Sequence, residues 1–306
     1  MRCMKCGSKD VVFKRRYSSQ RLCKDCFIEF IQKKVLRNIR LNKLIEKGDR
    51  VLAGVSGGKD SVAMLDILNI LHERGIIELE VLTVDEGIKN YREKTLEIAK
   101  YHTKRLGIPH HIVKFKDCFG ITLDEIVSSN VERGPCTYCG VFRRWIFNKI
   151  GKKLEADKIA IAHNLDDETE AILMNYLEGN IKNLIRLGPI SESKDFLTKI
   201  KPLREIPENE IILYTKFKGL KTYLKPCPYV RYAFRREIYR FIKRISAKHP
   251  TIRYSILRGF EKIKPILKEK FQEKYTFDTC KICGEPASGK ICQACKLCKE
   301  LGISMS

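Results

Sequence analysis

The sequence predicts an α/β fold in which a parallel sheet has helices on both faces and a small cysteine-rich module flanks it at each end. Three observations predict it. Apolar strand patterns alternate with amphipathic helical ones between residues 50 and 162, the alternation that parallel crossover connections impose. The first strand runs into the turn Ser56-Gly57-Gly58-Lys59-Asp60-Ser61 and then into a helix, an arrangement that aims backbone N–H groups and a helix N-terminus at an anion. Eight of the 13 cysteines form CxxC pairs near the two ends.

Residues 1–30 carry Cys3-x-x-Cys6 and Cys23-x-x-Cys26, separated by 16 residues, with Gly7 turning the chain after the first knuckle. Four thiolates from two knuckles suit tetrahedral Zn2+ and leave it no open position, so a structural site is expected. Residues 31–48 read as a basic linker helix. In the catalytic unit, residues 49–230, the segment 50–55 (RVLAGV) is the first strand, and 61–71 a helix with apolar positions 62, 65, 68 and 71. A strand at 79–84, a helix at 92–106, a strand at 110–115, a helix from about Arg143 and a strand at 157–162 follow. Residues 231–275 form a basic helical extension. Residues 276–306 repeat the ribbon, with Cys280-x-x-Cys283 and Cys292-x-x-Cys295 separated by 8 residues and Gly284 in the corresponding turn. Metal at each end folds a segment too small to hold a core.

Ligands of such sheets gather at the carboxyl ends of the strands. That rule brings the turn 56–61, Val84-Asp85 and 162–168 (AHNLDDE) together. Asp166 and Asp167 are placed there to bind Mg2+, to orient a reacting group, or to cap a helix beginning near Glu168. His163 is expected to pack or hydrogen-bond. The Walker A pattern is absent, since it has four residues between its first Gly and the Gly-Lys pair.

Sixty Lys and Arg against 37 Asp and Glu give a net charge of +23, and the excess avoids the centre: +10 over residues 1–50, +10 over 231–274, and +2 over 51–230. A near-neutral centre between basic flanks fits a catalytic core held to a polyanion. Arg231, Arg235, Arg236, Arg240, Lys243 and Arg244 fall at spacings that stripe a helix, and Tyr232, Phe234, Tyr239 and Phe241 are expected to pack its other face. No apolar run approaches the roughly 18 residues that span a bilayer, so no membrane partner is expected. The first residues lack the apolar region of a secretory signal, so a reducing, cytoplasmic setting is expected. An odd cysteine count disfavours a closed disulfide framework. Cys118 reads as a small apolar side chain and Cys298 as a spare thiol beside a knuckle. Cys136, Cys139 and Cys227 remain.

The string Ser-Gly-Gly-Lys-Asp-Ser after a strand resembles the PP-loop of the ATP pyrophosphatases, which cut ATP between its α and β phosphates. Together with residues 134–144 (GPCTYCGVFRR), residues 162–168, Lys225-Pro226-Cys227 and a four-cysteine ribbon at each end, it makes the chain resemble the TtcA/TtuA group of tRNA 2-thiolation enzymes over almost its whole length. The segment Cys-Thr-Tyr-Cys-Gly-Val-Phe-Arg-Arg looks most like the archaeal NcsA and cytosolic eukaryotic wobble-uridine branch. The T-loop branch tends to have lysine where Arg143 stands.

The resemblance implies an adenine-nucleotide α-hydrolase-like fold and an ATP-dependent tRNA uridine 2-sulfurtransferase. ATP would adenylate the uridine C2 oxygen, pyrophosphate would leave into the N–H cradle around Gly57 and Gly58, and sulfur would displace AMP. It implies that Cys136, Cys139 and Cys227 hold a 4Fe-4S cluster with one iron free of protein ligands. The alternative is a persulfide on Cys136 or Cys139 that Cys227 resolves. Gly54, Val84 and Ala162 would contact the nucleotide through backbone, beside Ser56, Gly57, Gly58, Lys59 and Ser61. Lys59, Arg143 and Mg2+ would offset phosphate charge, Asp60 would fix the loop, and Asp167 would assist at the reacting centre. Implied partners are tRNA, a sulfur donor (sulfide, a persulfide or a ubiquitin-like thiocarboxylate carrier) and a second copy in a homodimer. A PP-loop ligase or amidotransferase uses the loop but leaves three cysteines idle. A zinc-ribbon RNA-binding protein with a degenerate nucleotide fold leaves the intact loop unexplained.

Overall fold

The computed structural model describes all residues except 130, 192–193, 233, 272–276 and 305–306, together with the side chains of Arg231 and Tyr232. The chain opens with the antiparallel pair β1 (Phe13–Lys14) and β2 (Arg21–Leu22), which carries the first cysteine module into α1 (Lys24–Leu41). Cys26 lies in the first turn of α1, so the expected boundary at residue 30 falls inside one helix. Nor is α1 a linker. Phe27, Ile31, Val35 and Ile39 recur at helical spacing and are buried in the main core.

The central unit follows as β3 (Arg50–Gly54), α2 (Lys59–Glu73), β4 (Glu78–Asp85), α3 (Arg92–Leu106) and β5 (His110–Lys114). Then come α4 (Phe115–Phe119), α5 (Leu123–Ser128), α6 (Pro135–Lys153), β6 (Lys158–Ala160), α7 (Leu165–Leu177), α8 (Ile181–Arg186), β7 (Ile190–Ser191), β8 (Thr198–Ile200) and α9 (Glu208–Phe217). The six strands lie in the order β5-β4-β3-β6-β8-β7, parallel except for β7 against β8. The two last strands are too short to leave a periodic pattern in the sequence. Helix α6 starts at Pro135, not near Arg143, because Gly134 takes the N-cap and proline suits the first helical position. The CTYC segment is therefore helical from its first cysteine. Helix α7 likewise starts at Leu165 rather than near Glu168, because Asn164 caps it.

Alternation along the strands sends Val51 and Ala53 of β3 into one core and Leu52 into another. Both faces are thus buried, which is why these strands read as continuous apolar runs. The first core takes in Phe13, Leu22 and Phe27 of the N-terminal module. The second takes in Leu297 and Cys298 of the C-terminal one, which comprises β9 (Asp278–Thr279), β10 (Pro286–Ala287) and α12 (Gln293–Glu300), with Cys118 packed alongside.

A third cluster joins Leu165, Ile172 and Leu184 to Leu257 and Phe260 of α11 (Ile252–Phe271), which follows α10 (Arg235–Lys248). The buried face of α10 is Ile238, Ile242 and Ser246. Phe234 and Phe241 are each 44% exposed, against the expectation that they pack inward. Arg231 lies in the 3-10 turn Pro228–Tyr232 rather than in α10, and its side chain, like that of Tyr232, is outside the described set.

Candidate active site

The turn after β3 is braced by its own serines. Ser61 Oγ accepts from the Ser56 N–H at 3.1 Å and donates to the Gly58 carbonyl at 2.9 Å. Gly57 sits at φ +86°, and a side chain there would overlap the carbonyl oxygen of Thr95. Gly54 is needed for packing, since a Cβ would lie 2.8 Å from the Phe147 ring. The Tyr223 N–H donates to the Gly57 carbonyl at 3.1 Å, which zips the segment leading to Cys227 alongside the loop.

Lys59 Nζ lies 2.9 Å from Asp60 and 2.8 Å from Glu208. Burial works against the ammonium, but the two carboxylates outweigh it and hold Lys59 above its ordinary value. Burial raises Asp60 despite the pull of Lys59. Asn164 Nδ2 donates to Asp60 Oδ1 at 2.9 Å, while Asn164 Oδ1 accepts from the Asp167 N–H at 3.0 Å. One amide thus fixes the PP-loop carboxylate and caps α7.

The carboxylate pair after β6 divides its work. Asp166 accepts from the Glu208 N–H at 2.8 Å and pairs with Arg253 of α11, so it ties elements together and is not the cap. Asp167 closes the capping box on the Asn164 N–H at 3.0 Å and receives Arg235 at 2.7 Å. Arg235 also meets Glu170 at 2.6 Å, so this member of the basic stripe is turned toward the site. Burial lifts Glu170 to about 7, against the lowering effect of Arg235. His163 is exposed rather than packed. Ala162 is half-buried beside the first core.

Beyond β4, Glu86 is a buried carboxylate directly after the strand. Arg92 Nε lies 3.0 Å from one oxygen and Arg143 Nε 3.6 Å from the other. Arg92 also donates to the Ser56 carbonyl at 3.1 Å and to the Val84 carbonyl, so the Val84 oxygen is already engaged. Cys136 and Cys139, three residues apart, share a face of α6. Cys139 and Cys227 are half-buried and Cys136 is exposed. Burial raises all three thiols, Cys139 to about 12, where Glu86 adds to the rise and Arg143 opposes it. None is in a disulfide.

Two tighter sulfur groups stand apart from these. The ligand atoms of Cys3, Cys6, Cys23 and Cys26 lie within 4.8 Å of one another, as do those of Cys280, Cys283, Cys292 and Cys295. Each is a four-sulfur group with room to hold one metal ion. Among the described residues Cys136, Cys139 and Cys227 do not close to that spacing.

A PP-loop domain profile matches residues 31–241, and that of the 2-thiouridine synthetase TtuA N-terminal LIM domain matches residues 2–28. The tRNA 2-thiolation protein NcsA of Haloferax volcanii is 34% identical, over 98% of this chain and 99% of that one. The chain belongs to the PP-loop tRNA 2-thiolation family. Another member, the tRNA-5-methyluridine(54) 2-sulfurtransferase of Pyrococcus horikoshii, is 36% identical over 100% of this chain and 97% of its own. In structure, the U34-tRNA thiolase NcsA of Methanococcus maripaludis, solved with its 4Fe-4S cluster, superposes with a TM-score of 0.84 at 36% identity, covering 98% of this chain and 96% of that one. Relatives named for two different uridines are thus almost equally similar to this family member.

Glu86, Arg92, Glu208 and Tyr223 are parts of the site that the sequence reading does not place there, and Asn164 lies in a stretch it places there without a role. Glu86 had one usable signal, an acid directly after a strand on the ligand-binding edge. The others come from separate elements, and no spacing in the chain connects them.

Proposed function

We propose that this PP-loop protein is an ATP-dependent tRNA uridine 2-sulfurtransferase, acting on the wobble uridine in preference to the T-loop uridine. The observation that carries the reading is that the segments bearing three free cysteines are tied to an intact PP-loop, the one leading to Cys227 through Tyr223 and Gly57, and the helix of Cys136 and Cys139 through Arg143, Glu86 and Arg92, which reaches the Ser56 carbonyl. Arg143, where the T-loop branch tends to have lysine, supports the wobble target, as does the likeness to a U34-tRNA thiolase.

The uridine C2 oxygen is a poor leaving group and must be activated. Its attack on the α-phosphorus of ATP forms an O–P bond and releases pyrophosphate toward the N–H groups of Gly57, Gly58 and their neighbours. Lys59, fixed by Asp60 and Glu208, offsets the charge that develops, with Arg143 and Mg2+. Ser56 and Ser61 hold the loop, Gly54, Val84 and Ala162 flank the nucleotide, and Asp167 assists at the reacting centre with Arg235 beside it. Sulfur then attacks C2 and AMP leaves. Cys136, Cys139 and Cys227 fit a 4Fe-4S cluster by the chemistry of the donor set: three free thiols, two of them three residues apart on one face of α6. When bound, that cluster supplies an iron without a protein ligand, at which sulfur can be held. The two four-sulfur pockets take structural Zn2+. The setting is cytoplasmic, the sulfur comes from sulfide, a persulfide or a thiocarboxylate carrier, and the working form is a homodimer. Among the described residues no helix is long and apolar enough to cross a membrane.

Anaerobic purification and reconstitution, with iron and sulfide analysis, tests the cluster. Roughly four irons per chain are expected, and a protein that takes up zinc alone would sink it. Cys227→Ser is expected to abolish thiolation. Position-mapped mass analysis of tRNA nucleosides from a deletion strain decides the target, and loss of thiolation at a T-loop uridine alone would overturn the wobble assignment.

A further inference from the structure

A groove of about 870 Å³ opens between α6, α8, the β7–β8 edge, α11 and the C-terminal ribbon. Seven basic and two acidic side chains line it. Four of the cations, Arg144, Lys199, Lys264 and Lys268, have no carboxylate partner among the described residues. Lys264 donates instead to the Leu187 carbonyl. Of the two acids, Glu285 is engaged by Asn148 at 2.5 Å and by Lys152 at 3.7 Å. Burial, and after it Arg144, lowers Lys199 below the ordinary lysine value, and burial with Lys268 lowers Lys264 to about 8. Crowded like charges of this kind oppose folding, and a polyanion laid among them relieves the repulsion. Phe196 and Phe277 also border the groove, edge to face with ring centroids 5.0 Å apart. Such rings offer apolar surface to a base or ribose.

The groove is coupled to the thiols through α6. Arg143 of that helix turns to Glu86, and its neighbour Arg144 lines the groove. At ~1.5 Å rise per residue, Arg144 lies only about 7.5 Å along the axis from Cys139. We propose that this groove binds the phosphodiester backbone of the substrate tRNA and holds the strand against α6 while the target base reaches the cysteines. The proposal rests on the tRNA reading given above.

The test is equilibrium binding of unmodified tRNA to the full-length, metal-replete protein over a range of salt concentrations. Lys199→Gln with Lys264→Gln is expected to weaken binding about tenfold and to reduce the slope of log affinity against log salt by about one to two, the signature of lost phosphate contacts. Arg144→Gln with Lys268→Gln, both on exposed side chains, is expected to do the same without risk to the fold. Lys199→Arg with Lys264→Arg is expected to bind as the wild type does, and ATP affinity and iron content are expected to be unchanged throughout. Wild-type affinity and slope in both Gln pairs, with tRNA still bound, would overturn the groove and leave the enzyme assignment standing. A wild-type protein that binds no tRNA would overturn both. Unchanged tRNA affinity with thiolation lost only when sulfur arrives on a carrier protein would give the groove to an acidic protein donor instead of RNA.

Discussion

Gly57 shows how one residue joins backbone geometry to chemistry. Its φ of +86° and the Thr95 carbonyl behind it exclude any side chain. Gly57→Ala is expected to combine about 1–3 kcal/mol of backbone strain with a displaced loop, so ATP turnover should fall by orders of magnitude while the melting temperature falls by only a few degrees. Near-normal turnover would show that the loop tolerates the shift. Asn164 allows a finer dissection, because its carbonyl caps α7 and its amide holds Asp60. Asn164→Ala removes both and is expected to cost about 1 kcal/mol in stability, as lost caps do. Asn164→Asp keeps the cap but sets a carboxylate against Asp60, so KM for ATP should rise more than with Ala while stability falls less. The reverse order would mean that the cap, not the Asp60 contact, is what ATP binding senses. The glycine-serine string was legible from sequence because its spacing is local. Asn164, Glu86 and Arg235 were not, since each acts on a residue far along the chain.

Among the elements, β5 pairs with β4 along its length and is tied further by the His110 side chain. Thr83 donates to the Val55 carbonyl at 2.6 Å, which leaves its oxygen to accept from His110 Nε2 at 2.7 Å. His110 Nδ1 then lies 3.1 Å from the Thr103 hydroxyl of α3. The neutral ring therefore locks a strand to a helix. Burial lowers His110 from about 6.5 to about 4. The unfolded chain binds the extra proton between those values, so the contribution is complete above about pH 6.5 and is lost as pH falls toward 4. His110→Gln is expected to lose less melting temperature between pH 7 and pH 5 than the wild type does, and equal losses would remove the histidine from the acid response. The alternation of strands and helices was readable because each element obeys its own period. The start of α6 was missed, because a Pro-Cys-Thr-Tyr-Cys opening reads as a loop until Gly134 is seen to cap it.

At the scale of the whole molecule, the two cysteine modules are parts of the two cores, not appendages. The N-terminal module packs Phe27 on Phe217, with ring centroids 5.6 Å apart, and sends Arg15 to Glu210 at 2.8 Å. The C-terminal module receives a hydrogen bond from Trp145 on Cys283 at 3.5 Å and pairs Glu300 with Arg133 at 3.0 Å. Stripping metal from either should lower the single unfolding transition of the whole chain, by calorimetry, rather than release a small separate one. An unshifted main transition would show that the modules fold on their own account. The sequence by itself determined the α/β class, the phosphate-binding turn, the two four-cysteine modules and the three unallocated cysteines, because each is written in composition or in spacings of a few residues. Only the tertiary structure decided that Glu86 faces Arg92 and Arg143, that Arg235 turns inward to Asp167, that Phe234 and Phe241 stay exposed, and that four cations with no carboxylate partner among the described residues gather beside α6. Apart from Glu86 with Arg92, the pairings join residues 57 or more positions apart, and what brings them together is the packing of buried strands and helices into shared cores.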